Sequence, residues 1–189
     1  MIGAAAVLIP VKAFADAKRR LSPALTASER THLARTMADH VVQAAGELPV
    51  AIVCDDEEVA TWAHDCGARV ISEPGLGLNR AVEAGVDQLA AAGFERVLVA
   101  HADLPRAGDL SVLAAFEGIT LVPDRREDGT NVLCLPAGCG FRFSYGAGSF
   151  GRHLAEVGRL GLPHRVVREP RLAWDIDVPA DLELLSTDL

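Results

Sequence analysis

Short runs of apolar residues alternate with longer stretches in which apolar positions recur every three or four residues. The run Ala4–Val11 predicts a buried first strand, with the apolar Met1–Gly3 leading into it. Thr26-Ala27-Ser28-Glu29 has the form of a capping box, and Leu33, Met37, Val41 and Val42 follow at helical spacing until Gly46 and Pro49. Val50–Cys54 reads as a second strand, Glu57–Cys66 as a helix stopped by Gly67, and Arg69–Ile71 as a short strand. Asn79–Ala92 predicts a helix stopped by Gly93, and Val97–Ala100 a strand buried on both faces. Asp109–Phe116 reads as a short helix and Thr120–Val122 as a strand. The last third is less regular. Asn131–Leu135 and His164–Arg168 look like strands, read as antiparallel edges; Phe150–Val157 looks helical; Pro179 opens a terminal helix. This rhythm predicts an α/β fold, with helices on both faces of a mostly parallel sheet, in a single domain over residues 1–189. Such sheets hold ligands beyond the carboxyl ends of their strands, so polar residues directly after strands carry the interest.

Composition narrows the classes. Half of the 189 residues are hydrophobic, enough for a substantial core. No apolar run reaches the roughly 18 to 20 residues of a membrane helix. The N-terminal apolar run lacks a basic segment before it and meets Lys12 too soon for a signal peptide. A net charge of −8 argues against non-specific nucleic-acid binding, but not against anionic small molecules held through a divalent cation. Cys54, Cys66, Cys134 and Cys139 form no Cys-x-x-Cys pair, which suits a reducing, cytoplasmic setting.

Five segments carry candidate chemistry. Asp103, in His101-Ala102-Asp103-Leu104-Pro105 after a buried strand, suits a magnesium ligand at the ligand edge, or a simple strand-end cap. In Trp174-Asp175-Ile176-Asp177, strand alternation would put Asp175 and Asp177 on one face, where a cation relieves their repulsion; Asp177 also suits a helix cap. Phe143 through Phe150 is rich in glycine, and Ser149 stands where a helix begins, a place for phosphate or an ordinary N-cap. His153 lies four residues on, facing either a substrate carboxylate or the core. Asp128-Gly129-Thr130-Asn131 is a hairpin turn in which Thr130 also suits a phosphate contact. Lys12, then Lys18-Arg19-Arg20, form a basic segment over the same edge, suited to a polyphosphate or merely solvated. Gly75-Leu76-Gly77-Leu78-Asn79-Arg80 imitates a dinucleotide fingerprint, but Arg80 takes the third glycine's place. Gly77 and Asn79 are better read as contacts to a base.

Taken in order, these segments resemble one family, the 2-phospho-L-lactate / phosphoenolpyruvate guanylyltransferases of coenzyme F-420 biosynthesis. The resemblance rests on Pro10-Val11-Lys12, Ala17 through Leu21, Gly77-Leu78-Asn79, His101 through Pro105, Asp128 through Asn131, Phe143 through Phe150 with His153, and Asp175-Ile176-Asp177. It implies a three-layer α/β/α, Rossmann-like nucleotidyltransferase fold, GTP as co-substrate and magnesium as cofactor. It implies an acid phosphate held by Thr130, Gly146 and Ser149, with Asp103 and Asp175 as metal ligands and Asp177 as a third. Nucleotidyltransferases of this fold usually carry a glycine-rich loop after the first strand; Pro10-Val11-Lys12 stands there instead, which shifts triphosphate binding to Lys12, Lys18 and the metal. Two alternatives stay open: a transferase for another acceptor, such as 3-phosphoglycerate or a sugar phosphate, and a non-enzymatic GTP-binding module.

Overall fold

The computed structural model describes residues 4–186 and, of the terminal helix, the side chains only as far as residue 182. Met1–Gly3 therefore lie outside the described residues. Seven strands form one sheet: β1 (Ala5–Pro10), β2 (Val50–Cys54), β3 (Arg69–Ser72), β4 (Arg96–Ala100), β5 (Ile119–Pro123), β6 (Thr130–Pro136) and β7 (His164–Val166). Their order across the sheet is β3-β2-β1-β4-β6-β5-β7. The first four run parallel, and β6 alone is reversed, pairing antiparallel with both β4 and β5.

The apolar runs explain this arrangement. β1 and β4 are buried almost throughout, as strands covered on both faces must be. Alternate residues then serve opposite layers. Val7, Ile9, Ile52 and Leu98 pack with Ala38 and Val41 of α1 (Ala27–Ala44) and Val59 and Trp62 of α2 (Glu57–Asp65). Leu8, Val53, Val97 and Val99 pack with Val82, Val86 and Leu89 of α3 (Gly77–Ala91) and Phe150 and Val157 of α4 (Ser149–Leu160). The result is three layers, α/β/α. The capping box forms: Thr26 Oγ1 accepts from Glu29 N–H at 3.3 Å, and Glu29 Oε2 accepts from Thr26 N–H at 2.7 Å.

Three expectations need correction. β6 is antiparallel but is not an edge, because the Asp-Gly hairpin folds it back between β4 and β5. β7 is an edge, but it runs parallel to β5. Residues 174–178 form no strand, so period-two alternation does not orient Asp175 and Asp177. That segment is irregular because Asp181, in α5 (Pro179–Ser186), reaches back: its Oδ2 accepts from the N–H groups of Asp177 and Val178 at 2.8 and 2.9 Å. Asp181, rather than Asp177, thus captures the free backbone at the start of the terminal helix.

Candidate active site

The carboxyl ends of β1 and β4 carry the charged centre. Lys18 lies in the loop after β1 with a left-handed backbone, φ 55°. Its ammonium donates to Asp103 Oδ2 at 2.6 Å and to Asp177 Oδ1 at 3.2 Å. The lysine side chain is 10% exposed and that of Asp103 23%. Burial opposes the charge on Lys18, but Asp103 and Asp177 outweigh it and hold the ammonium above its ordinary value. Burial likewise opposes ionisation of Asp103, but Lys18 and then His101 hold its carboxyl below the usual range. Arg20 adds a weaker contact at 3.8 Å from Asp177 Oδ2.

Asp175 stands differently. It is buried, and burial, then Asp103 and Asp177, push its carboxyl up to about 6. Among the described residues, Asp103 Oδ1 and Asp175 Oδ1 are both buried with no hydrogen-bond partner. A buried carboxylate oxygen without a donor is costly, and a bound cation is the usual remedy. Magnesium takes oxygen ligands and commonly only one or two carboxylates, the rest being water and phosphate, so this pair fits it. Among the described residues no three metal-ligating side chains converge. Both oxygens of Asp177 have cationic partners, Lys18 and Arg20, whereas Asp103 keeps Oδ1 without one, so the pair that fits the ion is Asp103 with Asp175.

A cavity of about 460 Å³ opens beside this centre. Its lining includes Lys12, Lys18, Asp103 and Asp177 as well as Glu73, Gly77 and Leu78. Lys12 is exposed and has no ionic partner among the described residues. Asn79 is drawn elsewhere: its Oδ1 accepts from Tyr145 N–H at 2.6 Å, tying α3 to the glycine-rich loop before α4.

That loop and the β5–β6 hairpin form a second, buried group. Asp124, at the end of the hairpin's first strand, accepts from the N–H groups of Arg126, Asp128 and Gly129 at 2.9 to 3.0 Å. Asp128 Oδ2 accepts from Gly148 N–H at 3.1 Å, so hairpin and loop are stitched together. Gly146 and Gly148 have φ of 112° and 71°, which the loop needs and which a side chain would strain. Gly148, not Ser149, is the residue before α4, and no side chain caps the helix. Ser149 Oγ accepts from Thr130 N–H at 3.1 Å. Ser144 N–H donates to His153 Nε2 at 3.0 Å, which leaves Nδ1 as the proton-bearing nitrogen, 3.0 Å from Thr130 Oγ1. Both hydroxyls therefore accept one bond and keep their own hydrogens to donate. Burial, then Arg152 and His101, push His153 down to about 4, so it is neutral at pH 7.

The structure thus gathers Lys12, Lys18, Asp103, Asp177 and Gly77 around one cavity, and Thr130, Ser149 and His153 into a buried cluster below the exposed Gly146. His101 and Tyr145 join the two: their ring centroids are 4.8 Å apart, and Tyr145 also packs on His153 at 4.9 Å. Their polar tips, His101 Nε2 and Tyr145 Oη, are buried without partners among the described residues. Neither was singled out from sequence, although both lie inside segments that were. Asp124 was missed as well; its position after a strand and before an Asp-Gly turn was the available signal.

Comparison with known proteins gives the family and the fold. A family model described as guanylyl transferase CofC like matches residues 5–186. A phosphoenolpyruvate guanylyltransferase of Sphaerobacter thermophilus is 38% identical over 188 residues, covering 95% of this chain and 91% of that protein. A 2-phospho-L-lactate guanylyltransferase of Methanothermobacter thermautotrophicus is 33% identical over 186 residues, covering 93% and 81%. The fold is that of a solved putative nucleotide-diphospho-sugar transferase from Desulfovibrio desulfuricans, with a TM-score of 0.79 at 16% identity over 98% of this chain and 87% of the other. With a family model spanning nearly the whole described chain and relatives above 30% identity, the chain belongs to the CofC-like guanylyl transferase family.

Proposed function

We propose that this protein transfers GMP from GTP to phosphoenolpyruvate or 2-phospho-L-lactate, releasing pyrophosphate, as a step of coenzyme F-420 biosynthesis. One observation carries the reading. Among the described residues, two buried carboxylate oxygens without a donor, on Asp103 and Asp175, accompany a cavity of about 460 Å³ that Asp103 lines and a separate buried cluster of hydroxyl donors. A binding module would need no second anion site beside the first.

In the proposed reaction a phosphate oxygen of the acid attacks the α-phosphorus of GTP. A new P–O bond forms, the bond to the β-phosphate's bridging oxygen breaks, and pyrophosphate leaves with that electron pair. The acceptor is already an anion, so no strong general base is required. The obstacle is repulsion between two polyanions held at reacting distance. Magnesium, held by Asp103 and Asp175, would supply neutralising charge and orientation. Lys12, with no ionic partner, is suited to the triphosphate, and Lys18 fixes Asp103 and Asp177 in place. The O–H groups of Thr130 and Ser149 and the backbone of Gly146 would take the acid's phosphate. His153 contributes by holding the Thr130 hydroxyl and the Ser144 backbone rather than by touching the acid. The reaction would take place in the cytoplasm, with no nucleic-acid or membrane partner; no described helix is long and apolar enough to cross a membrane.

The test is an acceptor screen. Purified protein is incubated with magnesium, GTP and, in turn, phosphoenolpyruvate, 2-phospho-L-lactate, 3-phosphoglycerate and a sugar phosphate, and products are weighed by mass spectrometry. A guanylylated phosphoenolpyruvate or phospholactate supports the proposal. A guanylylated sugar phosphate or phosphoglycerate alone would replace the acceptor, and intact GTP in every tube would return the protein to the class of binding modules.

A further inference from the structure

The cavity also carries chemistry different from its lysines and aspartates. Pro10 pairs with Val53 and Val53 with Ile71, so the positions two steps on, Lys12, Asp55 and Glu73, continue one row across β1, β2 and β3. The row is held past the strand ends, because Val11 N–H donates to Val53 O at 3.0 Å and Glu73 N–H to Cys54 O at 3.1 Å. At about 4.8 Å per strand, Glu73 stands about 10 Å across the sheet from the Lys12 position. That span is comparable to the reach of a nucleotide from its phosphates to the outer edge of its base.

Glu73 is half-buried, lines the cavity, and is braced: its Oε1 accepts from Gln88 Nε2, on α3, at 2.9 Å. A carboxylate has about four acceptor positions, so this one bond leaves most of them open. Leu78 and Ala81, partly buried on the same helix, add apolar lining to the same cavity. A cavity with apolar lining and a fixed, acceptor-only group suits a flat heterocycle with two adjacent donors on its edge. Guanine offers N1–H and its 2-amino group side by side. Adenine offers one donor and one lone pair, and the lone pair would face a carboxylate oxygen.

We propose that Glu73, positioned by Gln88, accepts hydrogen bonds from N1–H and the 2-amino group of guanine, and so selects GTP over ATP. The inference rests on reading the cavity as the nucleotide site. Asp55, in the same row, is exposed and has no brace, so it is the comparison residue. Asn79, an earlier candidate for reading the base, has its carbonyl oxygen turned to Tyr145.

The experiment is equilibrium binding of GTP, ITP and ATP, with magnesium and no acceptor, to the wild type, Glu73→Gln and Asp55→Asn. Glutamine can still accept from Gln88, but its amide presents one acceptor and one donor, the pattern that matches adenine. The wild type should bind GTP about tenfold more tightly than ITP, which lacks the 2-amino group, and bind ATP more weakly still. Glu73→Gln should lower the GTP-to-ATP affinity ratio by about a hundredfold, through weaker GTP and stronger ATP binding together. Asp55→Asn should leave the ratio unchanged. Because the ratio is taken on one preparation, a fraction of misfolded protein does not alter it. A Glu73→Gln ratio equal to the wild-type ratio overturns the inference, as does a loss of selectivity in Asp55→Asn alone or a wild type indifferent to the base. Wild-type transfer of GMP measured in parallel separates the two ideas: turnover with an unchanged ratio leaves the guanylyltransferase reading standing while the role of Glu73 falls.

Discussion

Replacing Asp175 by Asn should stabilise the metal-free protein while abolishing its activity. The Asp175 carboxyl is pushed from 3.8 up to about 6 by burial and by the nearby Asp103 and Asp177. At about 1.4 kcal/mol per pH unit, ionising it in the folded protein costs about 3 kcal/mol more than in the unfolded chain. A raised carboxyl value has a definite sign. Its contribution to stability is whole below about 3.8 and is lost as pH rises through about 6. Asparagine keeps the shape and removes the charge, so its advantage over the wild type should be about 3 kcal/mol at pH 8 and about half that at pH 5. For a chain of this size that corresponds to about 6 to 12 °C in Tm at pH 8. The assay is urea and thermal unfolding in EDTA at both pH values, beside pyrophosphate release with magnesium. A variant no more stable than the wild type at pH 8, or equally advantaged at both pH values, would refute the idea that Asp175 is an uncompensated buried charge awaiting a cation.

Other substitutions test other parts of the molecule. His153, pushed down to about 4, should have the opposite sign: its contribution is full above about 6.5 and lost as pH falls toward 4. His153→Gln, whose amide can still meet Ser144 N–H and Thr130 Oγ1, should therefore unfold with a shallower pH dependence between those values, read from urea midpoints. Ser149→Ala removes a hydroxyl donor and the partner of Thr130 N–H. It should raise KM for the acid by about ten- to a hundredfold and leave KM for GTP within about twofold, a split that steady-state kinetics resolves. Gly118→Ala should destabilise the fold by about 3 kcal/mol without touching the site, because a Cβ there would lie 2.1 Å from the Pro163 carbonyl oxygen; chemical denaturation reads it directly.

The parts legible in the sequence were those set by local pattern. Strand cores such as Val97–Ala100, the capping box at Thr26 and the Asp-Gly hairpin depend on neighbours a few residues away, and they fold as their spacing predicts. What was not legible depends on partners far along the chain. Nothing near Asn131 says that its strand will insert between β4 and β5, since β4 is the partner that admits it. The tetrad Trp174–Asp177 alternates like a strand, yet Asp181 takes the N–H of its last residue and that of Val178 next to it. The α/β/α layering was readable for the same reason as its strands. The site was readable as a set of candidates, because polar residues after buried strands can be picked out one by one. Its wiring was not. That Lys18 would clamp Asp103, 85 positions away, and that Asn79 would hold the backbone of Tyr145 are facts of the closed fold.

The measurement that bears most directly on the account is pyrophosphate release by the wild type and by Asp103→Asn, each with GTP and acid, with and without magnesium. The account predicts release only when GTP, one three-carbon phosphoacid and magnesium are all present, and a fall of at least a thousandfold in Asp103→Asn, whose Tm should stay within a few degrees of the wild type. Release that is indifferent to the acid or to magnesium, or near-normal turnover in a well-folded Asp103→Asn, would contradict it.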